Sequence, residues 1–351
     1  MRAASEVMER QPETDRVPGS RVGVVLLHWG EPDTPENLDA FLKNVYADPA
    51  MVRLPGGPMF RPYFSRAAWS IQRKAIRKQL GANGGFSPAT GFAVEQARGL
   101  ERLLQSRTCS LECRTYVSMR FWHPGVSDTV AALGRDNIRH VVLVPGFLQP
   151  FKAGLQNVAA EWNVQADSDR PPAWSTTRLD SFASNPRVLR AISERVRQAL
   201  QRFPRYSREG VTALFAATGV PGRDDRGYYR RVQEMADIII GLQGQAAPAQ
   251  VAFHGYFGPI NGPGPELKRQ IEVLGRKGVR NLLVVPLCSI MDTLHSTQYL
   301  DMACRTVALR AGICQYEVAQ SLNSHRLFLE MLADLVLARL DVPTRAVEAL
   351  T

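Results

Sequence analysis

Apolar and polar positions fall along this chain in blocks. Short continuous runs of Val, Leu, Ile and Ala occur in "VGVVLLH" from Val22, "HVVLVPG" from His140, "LFAA" from Leu214 and "NLLVVPL" from Asn281. Runs of this length without alternation predict strands buried on both faces, the mark of a parallel sheet covered by helices. Between them, apolar residues return at helical spacing over Ala93–Leu104, Tyr228–Leu242 and Gly264–Leu274, and Arg326–Leu340 reads as a closing helix. Strands alternating with helices predict an α/β fold.

The pattern repeats. "LGRDNIRHVVLVPG" from Leu133 returns as "LGRKGVRNLLVVPL" from Leu274, and "VGVVLLHWGEP" from Val22 is echoed by "VTALFAATGVP" from Val211. "RTYVSMRFWHP" from Arg114 pairs with "AQVAFHGYFGP" from Ala249, and "SFASNPRVLRAI" from Ser181 with "SLNSHRLFLEML" from Ser321. Four echoes in one order predict two similar doubly wound, Rossmann-like parallel-sheet domains with a cleft between them. The division is a polar arm over 1–20, an N-terminal domain over 21–180 and a C-terminal domain over 181–351, which includes the closing helix. Ligands of such sheets bind beyond the carboxyl ends of the strands. His28, Trp29, Arg120, Phe121, Thr218, His254 and the segment after Leu287 are therefore expected at the cleft.

Composition narrows the function classes. The chain has 351 residues, 45% of them hydrophobic and 22% charged, which is the balance of a globular protein. The first twenty residues lack the apolar core of a secretory leader, so a cytoplasmic location is expected. Five cysteines without a C-x-x-C pair argue against a disulfide framework or a zinc knuckle. The net charge of +10 comes without basic runs interleaved with aromatics, so no nucleic-acid partner is expected. The densest basic stretch, Phe64–Leu80, has an apolar helical stripe and is compatible with peripheral contact at a membrane surface or with an ordinary solvated face. The Gly-rich loops lack the spacing of a nucleotide fingerprint.

Several of these stretches resemble the ferrochelatases, class II chelatases that insert ferrous iron into porphyrin. "LLHWGEPDTPENLDAFLKNVYADPAMVRLP" is similar to their opening, and "NGGFSPATGF" to their Gly-Gly-x-Ser-Pro loop. "SMRFWHPGV" resembles their Arg-Tyr motif, "ATGVPGRDDRGYYRRV" their His-Gly-x-Pro segment, and "VVPLCSIMDTLHSTQYLD" their Asp-His-x-Glu-Thr-x-x-Glu segment. The resemblance runs over about residues 20–340. It implies a chelatase-like pair of domains, a tetrapyrrole or other small-molecule ligand, and a divalent transition metal, iron first, as substrate or bound ion.

The motif chemistry departs from the family. The His of His-Gly-x-Pro falls on Thr218, the first Glu of the later segment on His295, the His before it on Thr293 and the second Glu on Tyr299. His28 and His254 stand where the family has Asn and Gln, and Gly262 where it has Trp. A threonine hydroxyl neither takes nor gives a proton near neutral pH, whereas an imidazole does. The expected site is accordingly His295 as base and metal escort, with Thr218 and Asp292 beside it. His295, His254 and His28 form the candidate metal set, Asp292 being a ligand or an orienting group. Trp29 and Phe121 are expected to stack on a flat ligand or to pack between domains. Arg120 is expected to hold a carboxylate or bridge the domains, Ser87 to contact substrate, and Gln149 and Lys152 to line the rim. Three functions remain open: metal insertion by a substituted chelatase, a metalloenzyme repurposed for a smaller molecule, and a non-catalytic haem or porphyrin binder.

Overall fold

The computed structural model describes residues 21–48, 70, 73, 77, 87–108, 111–148, 162, 174–179, 181–219, 226–244, 249–255, 264–287 and 289–341. The first half comprises β1 (Arg21–His28), α1 (Leu38–Ala47), α2 (Ala89–Arg107), β2 (Glu112–Met119), α3 (Val126–Arg135), β3 (His140–Pro145) and β4 (Ser175–Arg178). The second comprises α4 (Pro186–Leu200), β5 (Val211–Thr218), α5 (Arg226–Gly241), β6 (Gln250–His254), α6 (Leu267–Arg276) and β7 (Asn281–Pro286). A π-helix (Ser296–Ala303) follows, running on into α7 (Cys304–Arg310), then β8 (Gln315–Val318) and α8 (Arg326–Arg339). The strands form two four-stranded sheets, ordered β2-β1-β3-β4 and β6-β5-β7-β8, and every pairing is parallel. The internal echoes of the sequence thus become one topology used twice.

Local chemistry explains the boundaries. Asn185 caps α4, its side chain accepting from the Arg187 N–H, and Pro186 supplies a pre-set first turn. The Glu266 carboxylate accepts from the Arg269 N–H at 2.9 Å and starts α6. The apolar runs are buried on both faces as a parallel sheet requires. Val22, Val24 and Leu26 of β1 lie in one core with Phe215 and Ala217 of β5 and with residues of α2, α4, α5 and α8. Val25 and Leu27 turn to a second core with Leu143 and Trp162, and Leu214 and Ala216 to a third with Ala252 and Leu300. The four helices of the shared core thus tie the two sheets together.

α6 and α7 approach closely at Gly275. A Cβ there would lie 2.3 Å from the Ala311 carbonyl oxygen, which is backbone and cannot swing aside. Gly275→Ala is therefore expected to destabilise the protein by about 1–3 kcal/mol, read as a lower urea midpoint with an unchanged slope. Among the described residues Cys113, Cys304 and Cys314 are free thiols. No described helix is long and apolar enough to cross a membrane. The basic stretch Phe64–Leu80 lies outside the described residues except for Ser70, Arg73 and Arg77.

Candidate functional site

Both sheets reverse their order at the central strand, between β1 and β3 and between β5 and β7. That reversal opens a crevice at the carboxyl ends of the strands. A cleft of ≈ 880 Å³, its open mouth included, lies there, within the usual size of small-molecule sites. His28, Trp29, Glu31 and Phe147 line it from the first half, and Thr218, Tyr228, His254, Met291, Thr293 and His295 from the second. An antiparallel bridge from Phe147 to Ser289 joins the strand-exit loops of the two halves.

Register decides which strand-end side chains reach this cleft together. Leu27 pairs with Pro145 on β3 and Ala216 with Pro286 on β7, so the duplication superposes Leu27 on Ala216 and Trp29 on Thr218. Thr218 is the register partner of His254 across β5 and β6. Side chains two apart on a strand share a face. His254 therefore lies on the face of Ala252, toward the outer core, and His28 on the face of Val24 and Leu26, toward the shared one.

His254 meets His295. The His295 Nε2 and His254 Nδ1 atoms are 2.8 Å apart, with ring centroids at 4.5 Å. An N–H···N bond at this distance needs one ring to donate and the other to accept. His295 caps the π-helix, whose wider turn brings Tyr299 beneath it; the rings stack at 4.8 Å with a 15° interplanar angle. The Tyr299 hydroxyl donates to Glu266 Oε1 at 3.2 Å, and the Lys268 ammonium sits 4.7 Å from the Tyr299 ring centroid. Burial pushes the His254 imidazole down to about 3. Burial, then the neighbouring His254 and Lys268, hold His295 well below the ordinary imidazole value. The pair is therefore neutral at physiological pH.

His28 is also neutral, lowered to about 4 by burial, and is 1% exposed. Neither of its ring nitrogens has a hydrogen-bond partner among the described residues. Below pH 6.5 the unfolded chain takes up protons at these positions that the folded chain refuses. Stability is thus complete above 6.5 and falls as pH drops toward the folded values, by up to about 1.4 kcal/mol per pH unit for each histidine. Urea midpoints measured from pH 7 to 5 should fall, and less steeply in His28→Phe.

The expected site residues do not all converge on the cleft. His28, His254 and His295 all line the cleft, and no group of three or more His, Cys, Asp or Glu that could hold a metal ion occurs among the described residues. His28 stands on the face of Val24 and Leu26, whereas His254 stands on that of Ala252 and pairs with His295. Asp292 is not on the cleft wall. Its two carboxylate oxygens accept from the Ser321 N–H at 3.0 Å and the Asn323 amide at 2.8 Å. Arg120 is likewise directed elsewhere, into a buried ion pair with Asp48, each side chain 10% exposed. Phe121 packs with Phe41 and Val45 of the first half and Leu294 of the second, the packing alternative of the two expected for it. Ser87 is buried behind the wall and donates to Glu31. Gln149, Lys152 and Gly262 lie outside the described residues.

Two groups were missed from sequence. Glu31 is the one carboxylate lining the cleft among the described residues; it is 4% exposed and accepts the Leu294 N–H at 2.7 Å, next to His295. Tyr228, 1% exposed, donates to the Thr218 carbonyl at 2.7 Å and fixes the end of β5. The Gly-Tyr-Tyr segment after the β5 turn held a signal for Tyr228, since aromatics opening a helix there must pack on the strand end. Nothing local marked Glu31.

Comparison with known proteins agrees with this architecture. A family model described as Ferrochelatase matches residues 21–340. A ferrochelatase of Gloeobacter violaceus is 32% identical over 335 residues, covering 93% of this chain and 100% of the relative. A ferrochelatase of a Nostoc species is 29% identical, covering 92% of this chain and 84% of the relative. Among solved structures, SirB from Bacillus subtilis with Fe3+ aligns with a TM-score of 0.52 at 13% identity, covering 90% of this chain and 94% of that one, a likeness of fold alone. With the model spanning both sheets and nearly every described element, the chain belongs to the ferrochelatase family.

Proposed function

We propose that this protein inserts a divalent transition metal, ferrous iron first, into a tetrapyrrole held in the cleft between its two sheets. Family membership supports the reaction class. The observation that carries the reading at the level of residues is the neutral His254–His295 pair on the cleft wall beside Thr218.

Metal insertion removes two pyrrole protons as the metal takes their place. A metal ion approaching the pyrrole nitrogens makes the N–H groups more acidic, and a neutral imidazole is then a competent acceptor. In the pair, one hydrogen lies between the rings, so the two outer nitrogens carry one N–H and one lone pair between them. A proton accepted at the lone pair of one ring can be matched by a proton leaving the other, the shared hydrogen crossing between them. Thr218 leaves room beside the pair and supplies no charge. The Tyr299 stack and the hydrogen bond from Leu294 to Glu31 hold the His295 segment against the cleft. Trp29, packed 6.0 Å from Phe147 on the opposite wall, offers a flat apolar surface to a macrocycle.

Anaerobic incubation of the full chain with ferrous iron and coproporphyrin or protoporphyrin tests the reading. Metalloporphyrin formed well above the spontaneous rate supports it. A Soret shift on binding without metal uptake would leave a tetrapyrrole holder and overturn it.

A further inference from the structure

We infer that His28 is a second, independent proton acceptor, taking one pyrrole proton from the face of the tetrapyrrole opposite the His254–His295 pair. The inference rests on the proposed reaction and adds to it a residue and a face. Two protons leave per metal, and two acceptors on different walls let both leave without the pair discharging in between. Two N–H bonds break while one metal enters, and both electron pairs remain on pyrrole nitrogens that bond the metal. The hydrogen-bonded pair has one lone pair to offer at a time. A second proton on it would place two imidazolium rings with centroids 4.5 Å apart in a buried site, where like charges repel strongly.

A second acceptor that acts while the pair is charged lies elsewhere on the cleft wall. Of the described lining groups, only Glu31 and His28 are further candidates. Glu31 Oε2 already accepts from Ser87 and from the Leu294 N–H, contacts that favour its use as a bracket for the His295 segment. His28 is different. It is buried to 1% exposure, it lines the cleft, and both ring nitrogens lack a partner among the described residues. A buried polar side chain without a partner is costly to the fold, and a site that keeps one is a site that uses it. The ring is also held in place. It stands at the end of β1, whose next residues continue the pairing with β2, with the Arg120 N–H bonding the His28 carbonyl at 2.9 Å. Gly146 presses against it so closely that a Cβ there would lie 2.6 Å from Nδ1.

Architecture assigns the face. His28 ends a strand of the first sheet, while His254 ends a strand of the second and His295 opens the π-helix of the same half, so a flat ligand between the halves meets His28 on one side and the pair on the other. In balance, the tetrapyrrole gives one proton to His28 and one to the pair, the metal replaces both, and each imidazolium returns its proton to solvent as product leaves.

The test compares the wild type with His28→Gln and His28→Phe in the full chain, using metal-free coproporphyrin and ferrous iron without oxygen. Porphyrin affinity is read from the Soret band and metal insertion from single-turnover rates. The expected result is porphyrin binding within about threefold of wild type in both variants, with insertion slowed roughly 10²-fold or more in each. Insertion within threefold of wild type in a folded, porphyrin-binding variant overturns the inference and leaves the proposed function standing. A wild type that binds porphyrin but inserts no metal removes the parent reading and this inference together, and the wild-type control separates that failure from the first.

Discussion

His295→Ala is expected to slow metal insertion by roughly 10²–10⁴-fold, the range for loss of a positioned acid–base group. The substitution removes one ring of the pair and the stack on Tyr299, and leaves His254 Nδ1 without the partner it holds at 2.8 Å. A lone buried His254 has no second ring through which to pass its proton on. The loss should fall on the chemical step, with porphyrin affinity changed much less, because the flat apolar wall around Trp29 and Phe147 is untouched. Single-turnover rates and porphyrin titration of the same variant check both halves. An unchanged insertion rate would place proton acceptance elsewhere.

Asp292→Ala is expected to do the reverse. Its carboxylate clamps the loop after β7 to the turn before α8, accepting from Ser321 and Asn323, while the Asn323 side chain accepts the Asp292 N–H at 2.8 Å. Gln96 of α2 reinforces the same junction by donating to the carbonyls of Ile290 and Asn323. Hydrogen bonds to a charged acceptor are worth about 1.5–3 kcal/mol each, so losing two should destabilise the protein by about 3–5 kcal/mol. At roughly 2–4 °C per kcal/mol for a chain of this order of size, the melting temperature should fall by about 6–20 °C. Insertion per folded molecule should stay within about tenfold of wild type. A variant with an unchanged melting temperature and abolished insertion would return Asp292 to the catalytic role that its motif implied.

That contrast shows what the sequence could carry. Strand runs such as Leu214–Ala217 and the echo between Leu133 and Leu274 were legible because burial on two faces forces continuous apolar runs, and duplication preserves their order. The strand ends were legible too, since parallel topology sends all of them to one edge. Trp29, Thr218, His254 and His295 therefore appear on the cleft as expected. The direction of a side chain past the strand end was not legible. Arg120 and Phe121 leave β2 toward Asp48 and the α1 core because of partners far from them in sequence. Glu31 was invisible for the same reason. An acid between Gly30 and Pro32 reads as a solvated turn until Ser87 and Leu294, the latter 263 positions away, close over it. The mutual hydrogen bond of His254 and His295 joins residues 41 positions apart through a π-helix that no periodicity announced.

Nitrogen NMR of the uniformly 15N-histidine-labelled protein tests the paired imidazoles most directly. The expected spectrum at pH 7 has both rings neutral, with one hydrogen coupled across a His295 Nε2 to His254 Nδ1 bond, and no imidazolium signal from either ring until the pH falls well below 6.5. Two uncoupled rings that each titrate near 6.5 would contradict the pair and the proton chemistry assigned to it.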